Sequence, residues 1–130
     1  MIEQSLNSTD KKVIDIFNDL GVPKNLAKTL MFISKVDQCR SADIEKGANL
    51  RQPEVSVSMQ QLSDLGWITK TNQKKEGKGR PIYLYQLTKD IDEIFSYFQQ
   101  EKQQEIVSIQ QNLQDLKGLL SQQKSVEESD

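Results

Sequence analysis

The side chains of this 130-residue chain best suited to chemistry are cations. Lys74, Lys75, Lys78 and Arg80 crowd into the run KKEGKGRP, with Gly77 and Gly79 between them. Clustered cations on a bendable backbone suit a phosphate surface, because each phosphate neutralised releases condensed counterions. Arg80 precedes Pro81, which restricts its backbone and helps it clamp a phosphate or enter a minor groove better than the lysines can. Groups for covalent or acid–base work are scarce. With no histidine and a single cysteine, Cys39, the chain lacks His-based triads, most zinc sites and an internal disulfide. Its carboxylates sit in no recognisable catalytic setting, so the reading is of a non-enzyme with no cofactor and no metal. Cys39 reads as a small core filler, with an intermolecular redox switch as the rival.

The net charge of −2 conceals an asymmetry. Residues 1–69 carry 8 Lys and Arg against 9 Asp and Glu, residues 70–89 carry 6 against 1, and residues 90–130 carry 3 against 9. A near-neutral body and an acidic tail thus flank a basic island, a local polyanion footprint that a pI of 5.2 hides. Apolar residues make up 35% of the chain, below the about 45–50% (glycine included) of ordinary domains, so part of it is expected outside any core. No apolar run approaches the roughly 18 residues of a membrane span, and the start MIEQSLNST lacks signal-peptide character. A cytoplasmic protein without membrane contact is expected.

Holding the cations out requires a stem. Trp67 to Thr71 and Ile82 to Leu87 have the β-branched and aromatic content of two strands, which predicts an antiparallel hairpin with the basic run at its tip. Upstream the pattern is helical. Ser8, Thr9 and Asp10 offer capping oxygens ahead of Val13, Ile14, Ile16, Phe17 and Leu20, and Gly21 offers a left-handed stop. Pro23 suits the first turn of a second helix, the most apolar piece of the chain, running to about Val36. Ser41 is placed to cap a short third helix that breaks at Gly47 and Asn49. A fourth starts near Gln52 with Pro53 in its first turn, carries Val55, Met59, Leu62 and Leu65 as one buried stripe, and ends at Gly66. Two helices joined by a tight turn, the second polar on its outer face, form a helix-turn-helix pattern.

The order Ala42, Ile44, Asn49, Leu50, Val55, Ser56, Met59, Leu62, Leu65, Gly66, Trp67, Ile68 resembles winged-helix transcriptional regulators of the TrmB and MarR kind, with ArsR-type repressors slightly further off. Gly79-Arg80-Pro81-Ile82-Tyr83 is similar to the wing of those families, and Leu87-Thr88 to their exit into a helix. The match covers about residues 10–89. Asn49 stands where the families usually place glycine, a replacement that asparagine's tolerance of left-handed backbone allows. The resemblance implies a DNA-binding regulator of archaeal or bacterial origin. On its recognition helix Arg51, Gln52 and Ser56 are the candidates for base or adjacent phosphate contacts, with Gln60 further along; on its wing they are Lys74, Lys75, Lys78 and Arg80.

From Lys89 the sequence holds no proline, and no glycine until Gly118, which predicts one long helix. Ile91, Ile94, Phe95 and Phe98 make a first stripe. Ile106, Ile109, Leu113, Leu116 and Leu120 make a second with coiled-coil spacing, and the eight-residue step between the stripes puts Lys102 and Glu105 near the seam. A narrow seam on a polar helix cannot bury itself alone. Homodimerisation through it would also set two recognition helices about one DNA turn apart, while an intramolecular fold-back is the alternative.

The expected fold is therefore mainly α with a small β-hairpin: a winged helix-turn-helix DNA-binding domain over residues 1–88, a coiled-coil dimerisation helix over 89–123, and a disordered acidic tail over 124–130. The expected function is sequence-specific transcription regulation by a homodimer on double-stranded DNA at a palindromic promoter site, repression ahead of activation. One rival is a winged helix that joins a larger assembly through its C-terminal helix. A second is an architectural DNA binder with little sequence preference. No effector pocket is legible, and the absence of histidine and of a cysteine pair argues against metal sensing.

Overall fold

In the computed structural model, residues 6–73 and 81–128 are described, with side chains as far as residue 124. The chain divides into two compact units, 1–90 and 91–130. The first runs α1 (Ser8–Asp19), α2 (Lys24–Ile33), α3 (Ser41–Gly47), α4 (Gln52–Asp64), β1 (Ile68–Gln73) and β2 (Ile82–Leu87); the second is the single helix α5 (Ile91–Glu128). The fold is mainly α with a two-stranded hairpin.

One device opens three helices. Asn7 caps α1 by accepting from the Asp10 N–H at 2.8 Å, and the Asp10 carboxylate accepts in return from the Asn7 N–H at 2.9 Å. The Asp43 carboxylate accepts from the Arg40 N–H at α3, and the Glu54 carboxylate from the Arg51 N–H at α4, both at 2.8 Å. The caps therefore differ from the expected Ser8, Thr9 and Ser41: the serines lie inside their helices, and the acid three residues past the cap closes the first turn. Asp10, nearly buried, also pairs with Lys35 at 2.6 Å, fastening α1 to the end of α2.

The turns follow the sequence closely. Asn49 is the one described non-glycine residue at positive φ, +54°, in the turn between α3 and α4, while Gly21 and Gly66 adopt φ of +103° and +76° at the ends of α1 and α4.

α2 packs against α1, α3 and α4. Its Ala27, Leu30, Phe32 and Ile33 meet a core that also takes in Ile14, Ile44, Ala48, Leu50, Val55, Met59, Leu62 and Trp67. Besides Asp10, two uncharged polar side chains are buried with them. Thr29 donates its hydroxyl to the Asn25 carbonyl at 2.9 Å, and Ser58 lies on the inner face of α4. The expected stripe on α4 is corrected at one end: Leu65 is half exposed, because the helix stops at Asp64 and Leu65 belongs to the turn. On α1, Ile14 is the one apolar side chain fully buried; Ile16, two residues on, faces the opposite side.

The hairpin pairs Ile68 with Leu87 through to Gln73 with Ile82. Its base is latched by Thr88, which donates its N–H to the Trp67 carbonyl and its hydroxyl to the Gly66 carbonyl, each at 2.8 Å. The other edge of β2 is bridged by Cys39, which exchanges both backbone hydrogen bonds with Tyr85 at 3.0 and 2.8 Å. A one-residue bridge thus makes β2 the middle of the sheet. The Cys39 thiol is buried, and burial followed by the nearby Asp43 charge pushes its pKa up to about 12.

α5 is bound along its length by local pairs. Tyr97 donates to Glu101 at 3.1 Å, Lys102 pairs with Glu105 at 3.1 Å, and Gln111 donates to Asp115 at 3.0 Å. The Lys102–Glu105 pair occupies the stretch where the apolar phase slips. The helix continues past residue 123, where it was expected to give way to a disordered tail, because the run from Ser121 to Glu128 holds neither glycine nor proline. No helix among the described residues is long and apolar enough to cross a membrane.

Candidate nucleic-acid interface

α4 is presented from its first turn. Pro53 fills an opening position where a missing N–H costs nothing, and Glu54 closes the Arg51 N–H. Glu54 has a second task, since its other carboxylate oxygen accepts from the Asn25 side-chain amide at 3.3 Å and so ties the start of α4 to the start of α2. With Val55, Ser58, Met59 and Leu62 turned inward, Pro53, Ser56, Val57, Gln60 and Asp64 remain on the exposed side.

Beside this face runs a groove of about 310 Å³ between α4, the start of α3 and the hairpin. Gln52, Ser56 and Gln60 line one wall at successive turns, Ser41 lies at its α3 end, and Lys70 and Tyr85 come from the two strands. Met59, Val55 and Ile68 supply apolar lining. Lys70 sits 4.0 Å above the Tyr83 ring, a cation–π contact that places an ammonium on the sheet. Gln60 donates its side-chain amide to Asp64 at 2.9 Å, which orients Gln60 and leaves its carbonyl oxygen available as an acceptor. A surface bearing amide, hydroxyl and ammonium groups over an apolar floor matches the mixture of polar edges and methyl groups that a base-lined groove displays.

Three of the four recognition-helix residues named from sequence therefore converge on one groove. Arg51 does not line it; it is exposed at the leading end of α4. The wing residues Lys74, Lys75, Lys78 and Arg80 lie outside the described residues, in the segment that joins the paired ends Gln73 and Ile82. Sequence reasoning missed Ser41, Lys70 and Tyr85 as parts of the groove. Lys70 was visible as the first cation of the basic island; nothing in the spacing pointed to the other two. Val57, which the sequence places off the buried stripe, is 60% exposed on the outer face of α4. Among the described residues no cluster of three His, Cys, Asp or Glu is placed to hold a metal.

On α5 the seam residues Ile106, Ile109, Leu113, Leu116 and Leu120 are all exposed, as are Val107 and Leu119 beside them.

No protein-family model matches the chain, and no curated protein matches it by sequence. Among solved structures, a possible transcriptional regulator from Methanosarcina mazei Go1 overlaps with a TM-score of 0.63 at 19% identity, over 80% of this chain and 88% of that one. MepR, a transcription regulator of the Staphylococcus aureus multidrug efflux pump MepA, overlaps with a TM-score of 0.49 at 19% identity, over 90% and 89%. The adhesin competence repressor AdcR from Streptococcus pyogenes gives 0.48 at 16%, over 84% of each chain. Of these three, the Methanosarcina chain overlaps closely enough to bear on architecture. Taken with the helix-turn-helix at α3–α4 and the hairpin latched behind it, that overlap gives this chain the winged helix-turn-helix fold that its resemblance to TrmB, MarR and ArsR-type regulators implied.

Proposed function

We propose that the chain is a sequence-specific DNA-binding transcriptional regulator, with α4 in the major groove and the basic segment 74–80 on the phosphate backbone or in the minor groove. The observation that carries the reading is the convergence of Gln52, Ser56 and Gln60 with Ser41 and Lys70 on one groove along α4. Glutamine can engage adenine through two hydrogen bonds, and arginine can do the same with guanine, so Arg51 at the leading end completes a base-reading set. The exposed Val57 adds an apolar surface suited to a thymine methyl. Lys74, Lys75, Lys78 and Arg80 supply the sequence-independent share of affinity.

The regulator acts as a homodimer on a palindromic site, joined through Ile106, Ile109, Leu113, Leu116 and Leu120. Support comes from the coiled-coil spacing and from the exposure of all five residues on a single chain. Occupancy of promoter DNA gives repression as the simplest outcome.

The test is an electrophoretic titration of the protein against random genomic fragments and its own upstream region at two salt concentrations. Salt-sensitive retention of the upstream region over random fragments supports a specific regulator, and equal retention of all fragments points to an architectural binder. No retention at low salt would overturn the DNA reading and leave a protein-interaction module.

A further inference from the structure

On the body of the protein, lined by none of the residues assigned to the interface above, lies a hollow of about 500 Å³ between α1, α2 and the turn after α3. Four lysines line it: Lys11 of α1, Lys24 and Lys28 of α2, and Lys46 of α3. One carboxylate, Asp15, faces them, and Ile14, Ala48 and Leu6 form an apolar wall. Three of the other described lysines have partners, while Lys12, Lys89, Lys117 and Lys124 form no ion pair among the described residues. Lys35 pairs with Asp10, Lys102 with Glu105, and Lys70 lies over Tyr83. None of the four in the hollow makes an ion pair within the described residues, and the acids that open α3 and α4 are engaged by backbone N–H groups instead. The region of residues 1–69 is near neutral as a whole, so this concentration is local.

Four ammonium groups against one carboxylate around a shared space favour a multiply charged, many-oxygen anion, because each ammonium is a point charge with three donors and no acceptor. The Asn25–Glu54 hydrogen bond ties the first turn of α2, which bears Lys24, to the first turn of α4, which bears Gln52 and Pro53. The hollow thus adjoins the leading end of the recognition helix. We propose that it is a phosphate-binding site, taking a phosphoryl group either from the DNA strand beside that end of α4 or from a small phosphorylated molecule. The first source rests on the DNA-binding reading; the second does not.

The test compares the full chain with Lys24→Gln/Lys28→Gln and Lys11→Gln/Lys46→Gln double variants, using Lys12→Gln as a control and circular dichroism to verify folding. Inorganic pyrophosphate is titrated against the labelled protein while the amides of Lys28, Gly47 and Asn49 are followed by NMR. Binding to a random duplex is measured in parallel across a salt series. If DNA is the source, each double variant flattens the log–log salt slope by about one to two units, at about 0.9 per phosphate contact, and the control does not. If a small molecule is the source, pyrophosphate shifts those amides in the parent chain and at least tenfold more weakly in the double variants. Salt slopes and amide responses that are the same in parent and double variants would overturn the proposal. A parent chain that ignores DNA but responds to pyrophosphate would sink the regulator reading and leave this site standing.

Discussion

Leu62 and Leu113 are the same residue in opposite circumstances. Leu62 of α4 is 0% exposed and Leu113 of α5 is 61% exposed. The first belongs to a body whose helices are short, individually capped and wrapped around an apolar α2. The second belongs to a helix of 38 residues that holds itself together by local pairs and leaves its leucines outside. The body buries most of its apolar side chains within the chain, whereas the α5 stripe leaves its own exposed on the single chain. The contrast teaches that placement, more than composition, separates the two regions: 33 of residues 1–90 and 13 of residues 91–130 are apolar, about a third of each.

The contrast can be pressed hardest with thiol chemistry. In the body, Cys39 is held as a thiol by a pKa raised from 9.0 to about 12. Near pH 8 its thiolate is about a thousandfold scarcer than that of an ordinary cysteine, so alkylation by iodoacetamide should lag by about that factor behind a cysteine placed on α5 as Gln114→Cys. Equal rates would mean the body opens readily. The sign for stability follows from the same shift. The folded thiol keeps its proton where the unfolded one loses it, so this contribution is intact below about pH 9 and declines as pH rises toward 12. A Cys39→Ala variant should lose that alkaline decline.

Next in size is the seam. Leu113→Asp would bury a charge in any dimer, raising the dissociation constant by about a hundredfold or more while sparing the thermal transition of the body; sedimentation equilibrium reads the first and calorimetry the second. A parent chain that is monomeric at high concentration would break the comparison outright. Leu62→Ala should cost about 2–5 kcal/mol in denaturant unfolding, and Leu116→Ala almost nothing under dilute, monomeric conditions. Glu54→Ala, which removes a cap and the tie to Asn25, should cost about 1–2 kcal/mol. The smallest effect is on α5: a side chain at Gly118 would meet nothing within 4 Å, so Gly118→Ala should stabilise the helix by about 0.5–1 kcal/mol.

How far these features could be read beforehand depended on whether their cause is local. Asn49 and Gly66 were legible because a left-handed residue between periodic stretches has few other uses. The limits of α4 were legible for the same reason, with Pro53 and Gly66 as its markers. Gln52, Ser56 and Gln60 share a wall because they are four residues apart, a relation the sequence contains in full. Lys70 and Tyr85 reach the same groove from strands paired across a connecting segment, and their approach depends on how the sheet packs on α4. Cys39 pairs with Tyr85 through a single bridge, too short to show any alternation. Thr29 and Ser58 are buried although their side chains are polar. Thr29 satisfies its hydroxyl within its own helix, and a hydroxyl provided for in that way leaves the hydrophobic pattern looking broken where packing is continuous.

The two hydrogen bonds accepted by Glu54 bear on the rate of encounter as well as on the strength of the fold. One fixes the Arg51 backbone and the other fixes the turn against Asn25, so the leading end of α4 loses its conformational freedom when the chain folds. A ligand that meets Arg51 and Gln52 then finds them already arranged, and association need not wait for a slow ordering step. On the proposed function, Glu54 thus pre-arranges residues that would meet DNA, a polyanion that Glu54, as an acid, would itself repel.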